Sequence, residues 1–245
     1  MIKLAEISTT APADISKKEI RKESEAIYRE IGELSRVFEA SKKHALLVVL
    51  QGMDTSGKDG VTRKVFSRVS PSVVCAHSFK KPTPEEMDHD FLWRVHKHVP
   101  AKGKMMVFNR SHYEDVLIQR VHKWIDEERV EKRIEAINNF ENLLVFDNNT
   151  IILKFYLHLS RKKQKEKLEE RLSLLRKNWK HNPDDWKEAE LWDKYMVAYE
   201  DVINKSEIPW HIVPSDNRWY RNYVVAKTVL QALKNMDLHY PPLKK

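Results

Sequence analysis

The sequence predicts an α/β fold: a mainly parallel sheet flanked by helices. Three observations carry that expectation. Short apolar runs recur along the chain with helix-patterned stretches between them, the first of these runs is continuous instead of alternating, and glycines crowd directly after it. Strand–helix alternation of this kind implies parallel pairing, because neighbouring parallel strands need a crossover long enough to hold a helix.

From Ser16 to about Glu39, charged residues surround Ile20, Ile27, Ile31, Leu34 and Val37 at near-helical spacing. This predicts an N-terminal helical extension over about 16–40, packed outside the core. Ala45-Leu46-Leu47-Val48-Val49-Leu50 then reads as a strand covered on both faces, bounded by Gly52. Further strands are expected at Val73 to Ala76, Met105 to Phe108, Ile151 to Leu159 and His211 to Val213. Between them, Gly60 to Val69 and Glu114 to Trp124 carry helix patterning. Thr83-Pro84-Glu85-Glu86 has the form of a helix start, with Thr83 as cap, Pro84 in the first turn and Glu86 closing a capping box, and the helix is expected to run to Val99. No internal repeat or linker divides the chain, so residues 1–245 are read as one domain.

With 41% of its 245 residues hydrophobic, the chain can bury one sizeable core. No stretch approaches the roughly 20 apolar residues of a membrane span, and Met1 to Thr10 lacks the features of a signal segment, so a cytoplasmic protein without a membrane partner is expected. The single cysteine, Cys75, lies in the apolar run Val73-Val74-Cys75-Ala76 and reads as a packed core thiol with no chemical role. A formal charge of +8 favours polyanionic partners. Polyphosphate, nucleotides and nucleic acid all qualify, and charge alone does not choose among them.

Only five glycines occur, and Gly52, Gly57 and Gly60 fall close together. Gly52-Met53-Asp54-Thr55-Ser56-Gly57-Lys58-Asp59 matches G-x-x-x-x-G-K, with a buried strand before it and a helix pattern after it. That chemistry needs glycines so that backbone N–H groups converge on phosphate oxygens, a helix N-terminus to add a favourable dipole, and a lysine to reach the outer phosphates. The position after the lysine, usually a metal-binding Ser or Thr, is Asp59. Asp54 is therefore the candidate metal ligand, since a phosphate-bridging ion is commonly held by one or two carboxylates. Its ordinary alternative is a turn-stabilising Asx residue.

The third apolar run leads into Asn109-Arg110-Ser111-His112-Tyr113-Glu114-Asp115. A phosphate-loop fold normally places a metal-binding aspartate at this strand end, and Asn109 is a neutral substitute. Arg110 sits where α/β folds bind ligands, and its fork suits phosphate. Glu114 and Asp115 have two readings of nearly equal weight, favourable charge at a helix N-terminus or a role at the metal or acceptor. His112 is read as structural ahead of phosphate-binding. The basic stretch Arg171 to Lys180, interrupted by Trp179, is either a lid over phosphates, spanning about 161–186, or a solvated helix.

Taken together, the phosphate turn, Lys81-Pro82-Thr83, the Asn109 to Asp115 motif and Trp192-Asp193-x-Tyr195 resemble the polyphosphate kinase 2 family from about Ser16 to Leu238. The resemblance implies a P-loop kinase fold of the thymidylate kinase type and transfer of a terminal phosphate from inorganic polyphosphate to a nucleotide with Mg2+, Mn2+ being the alternative ion. Position by position it implies Asp54 at the metal, and Lys58, Arg110 and Asp115 with Asp54 as catalytic residues. Gly52, Thr55, Ser56, Gly57, Asp59 and Lys81 are expected to join Lys58 and Arg110 in binding phosphate, with Arg171, Arg176 and Lys177 acting from the lid. Glu114 and Asp115 are placed near the acceptor. The Asn109 version of the motif resembles members that phosphorylate both AMP and ADP. Expected partners are polyphosphate, adenine nucleotides and further copies of the chain, and not nucleic acid. An ATP-dependent nucleotide or small-molecule kinase, and a nucleic-acid-binding P-loop module, are the alternatives.

Overall fold

The computed structural model describes residues 1–243. Five strands, β1 Ala45–Gln51, β2 Val74–Ser78, β3 Met105–Asn109, β4 Thr150–His158 and β5 Trp210–Pro214, form one sheet in the order β2-β3-β1-β4-β5. Every neighbouring pair is parallel. The helices are α1 Lys17–Ser41, α2 Lys58–Val65, α3 Pro84–Met87, α4 Trp93–His96, α5 Glu114–Val121, α6 Glu127–Asn148, α7 Arg161–Ser173, α8 Leu175–Asn178, α9 Asp184–Glu190, α10 Trp192–Lys205 and α11 Arg218–Asn235. Among the described residues, no helix is long and apolar enough to cross a membrane.

Strand β1 is buried at all seven positions, and its side chains alternate between two cores as strand geometry requires. Leu46, Val48 and Leu50 join a cluster with α1, α2 and α11, whereas Leu47 and Val49 join one with α5, α6 and α10. The sheet is thus the middle of three layers.

Several boundaries and environments differ from expectation. The N-terminal helix is not external to the core: Ile31 and Phe38 of α1 are fully buried against the sheet side that α11 covers. Cys75 is exposed, because β2 is an edge strand with neither a partner on its outer side nor full helix cover. The expected helix from Thr83 to Val99 is two single turns. Its capping box is present, with Thr83 Oγ1 accepting from Glu86 N–H at 3.2 Å and Glu86 Oε2 accepting from Thr83 N–H at 2.9 Å. The break follows at Asp90, whose Oδ1 accepts from the N–H groups of Leu92 and Trp93 at 2.9 and 3.1 Å and so starts a second turn. The helices that follow the phosphate turn and the Asn109 motif end earlier than expected, at Val65 and Val121.

One ionic group is sealed inside the layer between the sheet and α6. Lys154 of β4 and Glu141 of α6 are both 0% exposed and pair at 2.6 Å. Tyr113 and His112 complete the group: Tyr113 OH accepts from Lys154 Nζ at 2.7 Å and donates to Glu141 Oε1 at 3.0 Å, while His112 Nε2 lies 3.1 Å from that oxygen. Burial raises the carboxyl pKa, but the hydrogen bond from His112 and the Lys154 charge more than offset it, so Glu141 ends below the ordinary carboxylate value. His112 therefore has the structural role.

Breaking this pair from one side leaves an uncompensated buried charge. Glu141→Leu is expected to lower unfolding stability by roughly 3–5 kcal/mol in urea titrations, and the double variant Glu141→Leu/Lys154→Met to recover most of that loss. A single variant within about 1 kcal/mol of the parent would contradict the assigned network.

Candidate active site

The chain must leave the sheet at the carboxyl end of β1, and it does so through residues 52–57 into α2. Gly52 at φ 144°, Thr55 at φ 68° and Gly57 at φ 100° lie in the left-handed half of backbone space. Gly52 is also constrained by space, since a Cβ there would meet Leu157 O at 2.8 Å. The result is a concave turn. Ser56 N–H is satisfied by Met53 O at 3.1 Å, and the next satisfied amide is that of Val61, which reaches Gly57 O at 3.0 Å. Among the described residues, the N–H groups from Gly57 to Gly60 find no acceptor, which is the arrangement that suits phosphate oxygens at a helix start.

Lys58 is 8% exposed, and its ammonium donates to Gly52 O at 2.7 Å and Met53 O at 3.3 Å. Its pKa is pushed down to about 8, first by burial and then by the nearby Arg110, with Asp54 only partly restoring it. Arg110 follows β3 in a left-handed conformation, φ 63°, in which a side chain other than glycine is strained. Its guanidinium pairs with Asp54 at 2.5 Å and Glu114 at 3.5 Å. Glu114, followed by Asp54, raises the Arg110 pKa against the effect of burial. Gln51, at the end of β1, lies between Ser111 Oγ and Glu114 Oε1, 3.0 Å from each.

Asp54 retains 20% side-chain exposure. Burial works against its carboxylate, but Arg110, Lys58 and Arg171 more than offset that, and its pKa falls below the ordinary value. Asp54 is thus an ionised carboxylate among three cations. The hydroxyls of Thr55 and Ser56 beside it are buried with no partner. An ionised carboxylate next to unpartnered hydroxyls fits a hard divalent cation that takes most of its remaining ligands from phosphate and water. No cluster of three or more His, Cys, Asp or Glu side chains suited to a metal occurs among the described residues, so a site held by protein ligands alone is not what this donor set offers.

Helices α7 to α9 close one side of the turn. Gln164 of α7, 1% exposed, donates to Asp54 O at 3.4 Å. Arg171 pairs with Asp185 of α9, Lys177 with Glu170, and Lys180 with Asp59 at 2.8 Å. Asn109 Nδ2 donates to Asp59 Oδ1 at 2.5 Å. Each of these cations therefore has a carboxylate partner within the chain.

The structure gathers Gly52, Asp54, Thr55, Ser56, Gly57, Lys58, Arg110 and Glu114 around one turn, with Arg171 close enough to act on the Asp54 carboxylate and Asp59 beside it. It does not bring Asp115 there. That side chain is 6% exposed and pairs with Arg94 at 2.9 Å, while Arg94 also donates to Lys80 O at 2.9 Å. Asp115 thereby anchors the segment that carries Lys81. Lys81 and Arg176 are exposed, and no side-chain hydrogen bond or ion pair joins either to the turn among the described residues. Sequence reading missed Gln164, Asp185 and Arg221, the last of which donates from Nη1 to Ser56 O at 2.8 Å. None carries a local signal, since each comes from a helix far along the chain.

The sequence profile described as Polyphosphate kinase 2 (PPK2) matches residues 14–241. The chain is 43% identical over 216 residues to an AMP/ADP-polyphosphate phosphotransferase of Meiothermus ruber, covering 87% of this chain and 80% of that one. It is 37% identical over 226 residues to an ADP-polyphosphate phosphotransferase of Rhodopseudomonas palustris, covering 86% and 78%. Its structure superposes on a crystal structure of polyphosphate kinase 2 from Arthrobacter aurescens TC1 with a TM-score of 0.95 at 39% identity, over 100% of this chain and 89% of that one. The parallel sheet, the phosphate turn at its central strand and the flanking helices are those of a P-loop kinase. With a family profile spanning almost the whole chain and a relative at 43% identity, the chain belongs to the polyphosphate kinase 2 family.

Proposed function

We propose that this chain transfers the terminal phosphate of inorganic polyphosphate to AMP and to ADP, giving ADP and ATP. The observation that carries the reading is the single turn at which Lys58, Arg110 and unbonded amides gather about an ionised Asp54. The curated relatives named for AMP/ADP and for ADP transfer support the choice of donor and acceptors.

The acceptor oxygen belongs to a phosphate whose second ionisation lies near about 6, so it is already mostly ionised at neutral pH and needs no strong general base. The difficulty is bringing two anions together in line. Lys58 and the turn amides hold donor phosphates, Arg110 spans the gap toward the acceptor, and Glu114 sets the orientation of Arg110 through their contact. Asp54 would hold a divalent ion, magnesium or manganese, which when bound supplies charge neutralisation across the phosphates of a loose transition state. Arg171, Lys177 and Lys180 act from a lid formed by α7 to α9, exchanging their carboxylate partners for phosphate oxygens. Asp115 contributes by fixing the Lys80–Lys81 segment through Arg94.

Incubation with polyphosphate, a divalent metal and either AMP or ADP, without ATP, is expected to give ADP and ATP. Asp54→Asn and Lys58→Ala should each lower turnover by about 100-fold or more, equivalent to about 2.7 kcal/mol, with folding unchanged by circular dichroism. Phosphorylation that requires ATP as donor would instead identify an ordinary nucleotide kinase.

The Lys58 ammonium is charged below its pKa of about 8 and loses its charge as pH rises through that value. Because kcat/KM reports the free enzyme, its profile for polyphosphate should fall on the alkaline side near about pH 8. Lys58→Arg should move that limb upward, since a guanidinium stays charged. A limb unmoved in this variant would assign it to another group.

Replacing Glu114 by Gln weakens its hold on Arg110 and should change the ratio of AMP to ADP phosphorylation rates measured side by side. An unaltered ratio would remove Glu114 from the acceptor side.

A further inference from the structure

A further buried cation reaches the phosphate turn from α11. Arg221, in the first turn of α11, is 4% exposed. Its Nη1 donates to Ser56 O at 2.8 Å, and its Nε and Nη2 share the side-chain oxygen of the adjacent Asn222 at 3.3 and 3.1 Å. Among the described residues it has no carboxylate partner. Buried Arg94 and Lys154 have one, in Asp115 and Glu141, whereas Arg221, like Lys58, is held by backbone carbonyl oxygen. An ion withdrawn from water without a counter-ion is costly, and burial, reinforced by Arg218, pushes the guanidinium down to about 10.

The contact has a geometric consequence. A peptide group is planar and trans, so its carbonyl and the following N–H point in opposite directions. Fixing the Ser56 carbonyl on Arg221 directs the Gly57 N–H away from Arg221, and that N–H finds no acceptor within the described residues. Gly57 is also the position where only hydrogen fits, because a Cβ would lie 2.0 Å from Arg221 Nη1, and one at Gly60 would lie 3.2 Å from Nη2. The guanidinium is packed against the back of the turn.

We propose that Arg221 is a positioning residue for the phosphate donor: it locks the Ser56–Gly57 peptide with the Gly57 N–H presented to the phosphates, and its uncompensated charge is balanced by the polyanion across that peptide. The inference rests on the polyphosphate reading above and assigns to that site a residue that contacts no phosphate. It separates two roles that an arginine in this place can have. A merely structural arginine stabilises the free protein and leaves anion binding alone. An arginine poised for an anion adds little to the free protein and much to the bound one.

The test compares the wild type with Arg221→Met and Arg221→Lys, using tripolyphosphate as the probe. Its Kd is measured by calorimetry, melting temperatures are taken with and without it, and kcat and KM for polyphosphate are determined with ADP as acceptor. Arg221→Met is expected to melt at or above the wild-type temperature in the absence of anion, to bind tripolyphosphate about tenfold or more weakly, and to raise KM for polyphosphate more than it lowers kcat. Arg221→Lys, which keeps the charge but not the fork, should fall between the two. Unchanged tripolyphosphate affinity in either folded variant overturns the proposal, whatever happens to the melting temperature. Weakened binding accompanied by a lower melting temperature without anion supports the peptide lock and overturns the charge component. If Arg221→Met does not fold, the affinity of Arg221→Lys decides. A wild type that fails to bind tripolyphosphate or use polyphosphate overturns the proposed function itself, so the two failures are distinguishable.

Discussion

The architecture follows from the confinement of β1. Its seven residues are covered on both faces and hydrogen-bonded along both edges, to β3 and to β4, so nothing in the strand can shift without disrupting two cores and two ladders at once. The only freedom left is at its carboxyl end. There the backbone turns through three left-handed residues and re-enters order as α2, which delivers a set of amides and a lysine to a fixed place. Strand β3 ends beside it in the same direction and delivers Arg110 to the same place. Parallel pairing is what makes these two ends coincide, and a ligand-binding crevice at the carboxyl ends of adjacent strands is the general outcome.

Around that fixed centre the charges are arranged in pairs of differing permanence. Lys154 with Glu141 and Arg94 with Asp115 are buried, and they hold the segments on either side of Arg110 and Lys81 in place. The pairs nearer solvent, Arg171 with Asp185, Lys177 with Glu170 and Lys180 with Asp59, join helices α7 to α9 to themselves and to the rim of the turn. Buried pairs are expensive to break because each partner is stranded without water, whereas pairs that keep access to water cost less to exchange. The division between the scaffold and the lid proposed above thus coincides with the depth of the ion pairs.

The sequence discloses the centre well and the periphery poorly, for physical reasons. A strand buried on both faces must be continuously apolar, so Ala45 to Leu50 is legible, and glycine density marks the turn because the backbone there requires left-handed angles. The run at Val73 to Ala76 has the same composition, yet it becomes an edge strand with an exposed Cys75, since composition does not report whether a neighbour lies on the outer side. Adjacency in sequence groups Asp115 with Glu114, but consecutive residues on a helix point about 100° apart. Glu114 therefore faces Arg110 while Asp115 faces Arg94. The helix break at Asp90 had a local cause, a side chain capping a new turn, that periodicity alone conceals. Arg221 and Gln164 have no local signature at all, because what defines them is the turn they reach.

Gly57 and Arg221 share one small volume, so what stands at one position bears on the other. A Cβ at 57 would lie 2.0 Å from Arg221 Nη1 and would also be strained by the φ of 100°, so a shorter residue at 221 relieves the contact and not the backbone. Shortening 221 alone would free the space but release the carbonyl it holds. The dependence therefore runs one way: the backbone demands glycine at 57 whatever stands at 221, whereas the long side chain at 221 fits only while 57 carries none, although most of the chain lies between them.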